Sequence, residues 1–168
     1  MANRIALSEN ISESDRELLI AAAYFHDTGY IREYKKNEPI AARMAGRVLK
    51  LIGYTPDEIE TVQKMILATD LQCEPQTHLE KILCDADLDN LGREDFFKLD
   101  AKLREGRRSR GIDVSDDARW YKETLEIVKN HQYYTDSQIK LREKGKQKNI
   151  KALLSKLENI EKKKRDSI

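Results

Sequence analysis

The sequence predicts an all-α protein, a helical array rather than a coiled coil, and three observations carry that expectation. Apolar residues recur at three- and four-residue spacing through nearly every segment, with no two-residue alternation and no internal repeat. Only 7 Gly and 3 Pro fall among 168 residues, which leaves few turns. Charged residues make up 36% of the chain and apolar ones 39%, a profile suited to amphipathic helices around one core.

Ser12 or Ser14 can cap a first helix whose opening turn carries Glu13, Asp15 and Glu17. Leu18, Leu19, Ala22, Ala23 and Phe25 follow the helical period, and Gly29 is its expected stop. A second helix is expected from Glu38-Pro39, with Pro in its first turn, through Ala41, Ala45, Val48 and Ile52 to Gly53. Thr55-Pro56-Asp57-Glu58 supplies a cap, a first-turn Pro and two carboxylates for a third, which continues through Val62, Met65 and Ile66.

Residues 71–77 read as loop, 78–91 as a short buried helix ended by Gly92, and 93–105 as an amphipathic helix. Gly106 to Gly111 reads as a basic turn, and 115–131 as a helix carrying Trp120 and Leu125. Thr135-Asp136 opens a long basic helix, so the expected division is a domain over 1–134 and a C-terminal amphipathic helix over 135–168.

Formal net charge is +1, but from position 140 onward 11 basic residues face 4 acidic ones, while the remainder holds 20 basic and 26 acidic. The basic residues alternate with Leu153, Leu154, Leu157 and Ile160, so a solvated helix face is preferred over nucleic-acid or membrane contact. Cys73 and Cys84 form no CxxC and have no His at zinc-ligand spacing, and both are read as reduced thiols. No apolar run approaches the roughly 20 residues of a membrane span, and the cytoplasm is the expected address.

Three positions carry chemistry. His26 lies four residues after Ala22 and seven after Leu19, on the core side of its helix, where a lone His is ordinarily a satisfied core residue. Asp27 follows it and needs a partner at the end of an apolar helix. Asp87 is four residues from both Leu83 and Leu91 and is expected to face inward, whereas Asp85 and Asp89 are expected to be solvent-facing or capping residues. An inward carboxylate requires a buried cation, a set of backbone donors or a metal. Together, one imidazole and two carboxylates form a set that a first-row divalent ion accepts, and phosphate-ester hydrolysis is the chemistry such an ion promotes.

The run from Ala21 to Tyr30, AAAYFHDTGY, resembles the central signature of the HD superfamily of metal-dependent phosphohydrolases, and DADLDNLG from Asp85 to Gly92 resembles its distal Asp motif. Asn37-Glu38, Ile66-Leu67-Ala68-Thr69, Leu103-Arg104-Glu105 and His131-Gln132-Tyr133-Tyr134-Thr135 resemble one bacterial branch. The resemblance implies a phosphodiesterase-like helical array and a divalent cofactor (Mn, Fe, Mg, Co or Ni). It makes His26, Asp27 and Asp87 metal ligands and gives Asp27 and Glu38 catalytic roles, against a reading in which Glu38 merely begins a helix; Arg104 and Arg107 are candidate substrate contacts because guanidinium groups match phosphate geometry, and Arg104 also lies in a matching motif. A solvated turn is the competing reading for Arg107, Arg108 and Arg110, and packing for His131; His78 reads as a surface residue. The implied substrate is a phosphorylated small molecule, notably a nucleotide or cyclic nucleotide; a homodimer is possible, and neither membrane nor nucleic acid is an expected partner.

The family's first histidine ligand stands upstream of the His-Asp pair, and residues 1–11 contain no His. A truncated or absent first helix is therefore expected, or a member that binds its ion poorly. Two other functions stay open: an HD-like nucleotide-binding or signalling module with an incomplete ligand set, and a structural helical protein pairing through its basic terminal helix.

Overall fold

The structure is a computed structural model that describes residues 1–33 and 36–166; the last two positions of the 135–168 segment lie outside the described residues. Among these residues there are eight α-helices, two short 3-10 turns and no strands. The chain forms two compact units, Met1–Leu88 with Tyr134–Ser137, and Asp89–Tyr133 with Gln138–Ile168.

The first unit contains α1 (Ala2–Ser8), α2 (Glu13–Phe25), a 3-10 turn at Thr28–Ile31, α3 (Glu38–Leu51), α4 (Pro56–Ala68) and α5 (His78–Asp87). Ser12, rather than Ser14, caps α2 by accepting from the Asp15 amide. α2 stops at Phe25, four residues before Gly29, because the chain tightens there into the 3-10 turn. Thr55 and Glu58 form a reciprocal capping box at the start of α4, and Thr77 and Glu80 form another at the start of α5. α3 ends where expected, with Gly53 at φ 95°, a left-handed conformation that favours glycine.

Each of these helices contributes one apolar stripe to a single core. Ile5 and Ala6 of α1, Leu19 and Ala22 of α2, Ala41, Ala45 and Leu49 of α3, Val62, Met65 and Ile66 of α4, and Ile82 and Leu83 of α5 meet there. The alanines of α2 and α3 allow close helix approach, which brings the end of α2 against its neighbours. Gly29 serves the same purpose in the 3-10 turn: a Cβ there would sit 2.0 Å from the Asn37 carbonyl oxygen, so the turn and the start of α3 touch backbone to backbone.

The second unit contains a 3-10 turn at Asp89–Gly92, α6 (Phe96–Arg108), α7 (Asp117–Asn130) and nearly all of α8 (Asp136–Arg165). α6 continues through Gly106, Arg107 and Arg108, where a basic turn was expected, and the cations of its last turn face the negative end of the helix dipole. Gly92 and Gly145 bring the 3-10 turn onto α8, since a Cβ on Gly145 would lie 2.1 Å from the Gly92 carbonyl oxygen. Asn149 secures that approach by donating to the carbonyls of Leu91 and Arg93.

Candidate metal centre

The end of α2 and the end of α5 converge on one point. His26 follows the last residue of α2, and its backbone N–H still bonds to the Ala22 carbonyl, so the helical path carries the ring toward the unit's interior. Its Nδ1 lies 2.9 Å from the Ala23 carbonyl oxygen. A carbonyl only accepts, so Nδ1 carries the hydrogen and Nε2 faces the other way. There Nε2 lies 3.3 Å from Asp87 Oδ1 and 3.4 Å from Asp27 Oδ2. One ligand atom from each residue falls within 4.8 Å of the other two, and no other such group of three occurs among the described residues.

Burial alone would pull the His26 imidazole down. The hydrogen bond and charge of Asp87, the charge of Asp27 and the Ala23 carbonyl outweigh it, and hold the ring up at about 9. Burial pushes the Asp27 carboxyl above its usual range, Asp87 adds to that by repulsion, and His26 opposes it. This is a concentrated negative site that His26 neutralises in part, and the histidine side chain is 19% exposed against 63% for Asp27 and 28% for Asp87. The site opens to solvent through its carboxylates.

Asp85 and Asp89 correct the sequence expectation. Asp85 is fully buried and accepts from the Tyr134 amide at 2.9 Å, the Thr135 amide at 2.8 Å and the Thr135 hydroxyl at 2.7 Å. Burial still raises its carboxyl above the usual range, with those three donors working against the rise. Asp89 is buried in the second unit, where Gln138 Nε2 at 2.7 Å and Arg142 Nε at 2.6 Å supply its hydrogen bonds. Neither is a solvent-facing or capping residue. Glu9 was also missed: it accepts from the Ser137 amide at 2.9 Å and lies 3.6 Å from His78, so two carboxylates grip residues 134–137. The HQYYT motif was the one sequence signal for that segment, and it did not name its partners.

Glu38 is the first residue of α3, half-buried, and its carboxylate accepts from the side-chain Nδ2 of Asn37 at 2.9 Å. Since Asn37 packs on Gly29, two residues after Asp27, Glu38 begins its helix beside the turn that follows the His-Asp pair. Arg104 and Arg107 lie on α6 of the second unit. The Arg104 guanidinium is engaged there, donating to the Val114 carbonyl and pairing with Asp117 at 2.6 Å, while both arginines stack over the Trp120 ring. His131 stacks edge-on against Tyr133, a packing role, and Lys146 donates to its carbonyl. Cys84 donates to the Ala68 carbonyl, and burial, with the charges of Asp87, Asp85 and Glu80, pushes its thiol up to about 12.

An all-helical unit in which a helix-terminal His-Asp pair meets an Asp from a second helix defines a helical protein with a mixed imidazole and carboxylate centre. The HD domain family model matches residues 1–89, more than half of the chain, and the chain belongs to that family. The HD domain marks a superfamily of metal-dependent phosphohydrolases, and the family binds divalent metals. Neither a comparison with curated proteins nor one with solved structures gave a match. Among the described residues no helix is long and apolar enough to cross a membrane.

Proposed function

We propose that this chain is a phosphohydrolase that cleaves a phosphomonoester or phosphodiester of a small molecule, a nucleotide or cyclic nucleotide in particular. His26, Asp27 and Asp87 would hold its divalent ion. The observation that carries the reading is the convergence of His26 Nε2 with both carboxylates within 4.8 Å. The donor set fits a first-row divalent ion: one borderline nitrogen, two hard oxygens and a solvent-facing side.

The second partner of the histidine supports the same reading. Metal-bound imidazoles characteristically donate their other N–H to a carbonyl or carboxylate, as Nδ1 does to Ala23 at 2.9 Å. When bound, such an ion supplies Lewis-acid charge that polarises a phosphoryl oxygen and makes hydroxide accessible near neutral pH. The residues do the rest. Ala23 fixes the tautomer and direction of His26; Asp27 and Asp87 supply the charge that an ion neutralises; Asn37 orients the Glu38 carboxylate, a group suited to carry a proton at the start of α3.

A direct test is elemental analysis of Asp87→Ala and wild type after exposure to manganese, beside turnover of p-nitrophenyl phosphate and its bis-ester. The expected outcome is stoichiometric metal in wild type, loss of most of it in the variant, and loss of turnover in parallel. Unchanged metal content in Asp87→Ala would remove the assignment. A second reading is favoured by the size of the ligand set, three side chains among the described residues: a nucleotide-binding module that does not turn over. A rise in melting temperature with nucleotide, and no product under any of the five metals, would identify it.

A further inference from the structure

We propose that the first half of α8 is a binding surface for the sugar-phosphate backbone of a nucleic acid, made by Lys140, Lys144, Lys148 and Lys151. At about 100° per residue these four lie within an arc of about 80°, on the side of the helix opposite Asn149 and Leu153, which are buried in the second unit. All four are exposed, and none has an ion pair or hydrogen bond among the described residues. They climb the helix in steps of about 6, 6 and 4.5 Å, so the row is about 16 Å long, the axial length of roughly five phosphates on one duplex strand.

The spacing is the informative feature. Lysines three and four residues apart on one helix face repel and destabilise it. Some such positions on other helices hold opposite charges, as in Glu60 with Lys64 at 2.7 Å and Arg119 with Glu123 at 2.8 Å, while Arg43, Arg47 and Lys50 on α3 form a shorter like-charged row. The basic run at Lys162, Lys163, Lys164 and Arg165 has an internal explanation, since cations in the last turn meet the negative end of the dipole. The four lysines near the start of α8 have none. The two carboxylates closest in sequence are otherwise placed: Glu143 pairs with Lys146 and accepts from Gln147, and Asp136 opens the helix where a negative charge suits the dipole.

An external row of anions would supply the missing counter-charge. The face carries point charges on flexible stems, no aromatic ring for base stacking and no arginine fork, so contact is with phosphates and without sequence preference. A membrane surface is the poorer fit, because an interfacial helix inserts one continuous apolar face, whereas Leu153 of α8 is buried in the second unit and the exposed Ile139, Leu141 and Leu154 are spread around the helix. Sequence spacing alone had favoured a solvated face; the absence of partners at all four lysines is what the structure adds.

The test is fluorescence anisotropy of labelled 20-base-pair DNA duplexes of two unrelated sequences titrated with the full chain, with phosphatidylcholine/phosphatidylserine vesicles in parallel. Four neutralised phosphates give a slope of about −3.6 in log K against log salt, or about 50-fold weaker binding at 150 mM than at 50 mM salt. Replacing all four lysines by Gln should abolish duplex binding and leave Tm unchanged or higher, since it removes only repulsion. Replacing Lys162, Lys163 and Lys164 by Gln should leave most of the binding. No duplex binding at about 50 mM salt up to roughly 200 μM protein, undiminished binding by the fourfold variant, or vesicle binding without duplex binding would each overturn the proposal.

Discussion

Replacing Asp85 by Ala tests how the HD unit holds the segment between α7 and α8. The carboxylate is fully buried and satisfies two amides and one hydroxyl from Tyr134 and Thr135, and the two Thr135 bonds are themselves buried. Hydrogen bonds to a charged acceptor contribute about 1.5–3 kcal/mol each, and losing one partner of a buried charged network costs about 3–5 kcal/mol in all. Burial raises the Asp85 carboxyl, a sign that its charge is costly where it sits, so the net loss belongs at the lower end, about 3 kcal/mol. For a chain of this length that is a fall in Tm of about 6–12 °C. Urea denaturation followed by circular dichroism measures it, and hydrogen exchange at the Tyr134 and Thr135 amides locates it. Asp85→Asn should lose less, because one oxygen still accepts while the new NH2 faces a donor. A loss under about 1 kcal/mol in Asp85→Ala, with both amides still protected, would refute the account.

Two further outcomes are expected. Gly29→Ala forces a methyl group to 2.0 Å from the Asn37 carbonyl, a backbone atom that cannot swing away, so thermal melting should show a loss of about 2 kcal/mol or more, and manganese uptake should weaken as the turn after Asp27 shifts; equal Tm and uptake would contradict this. Burial raises the Asp100 carboxyl, against donation from Trp120 and Thr124 and the charges of Arg104 and Arg107. A raised folded-state pKa means stability that is full below the unfolded value and is lost as pH rises through the folded one. Asp100→Asn, which can still accept from Trp120, should therefore melt at or above wild type at pH 7, with the gap closing toward about pH 4. A gap that widens on acidification would show the opposite sign.

The sequence alone determined the helices and one half of the site. Periodicity, capping residues and terminal glycines act within a turn or two, so α3, α4 and the placement of His26 at the inward end of α2 were legible from neighbours three and four residues away. The same local rules read α6 too short, since Gly106 and the arginines after it were judged by turn propensity while the dipole and the packing at Trp120 favoured one more turn.

What only the tertiary structure decided was which acidic residues are buried and against what. Helical phase picked Asp87 as the inward carboxylate, yet Asp85 is the fully buried one and Asp87 remains partly exposed beside His26. The reason is physical. A carboxylate is buried only where donors meet it, and the donors for Asp85 and Asp89 arrive from Tyr134, Thr135, Gln138 and Arg142, at least 49 residues further along the chain. No local pattern encodes that meeting. His26 and Asp87 likewise stand on separate helices, and their 3.3 Å separation exists because the α2 and α5 stripes share one core.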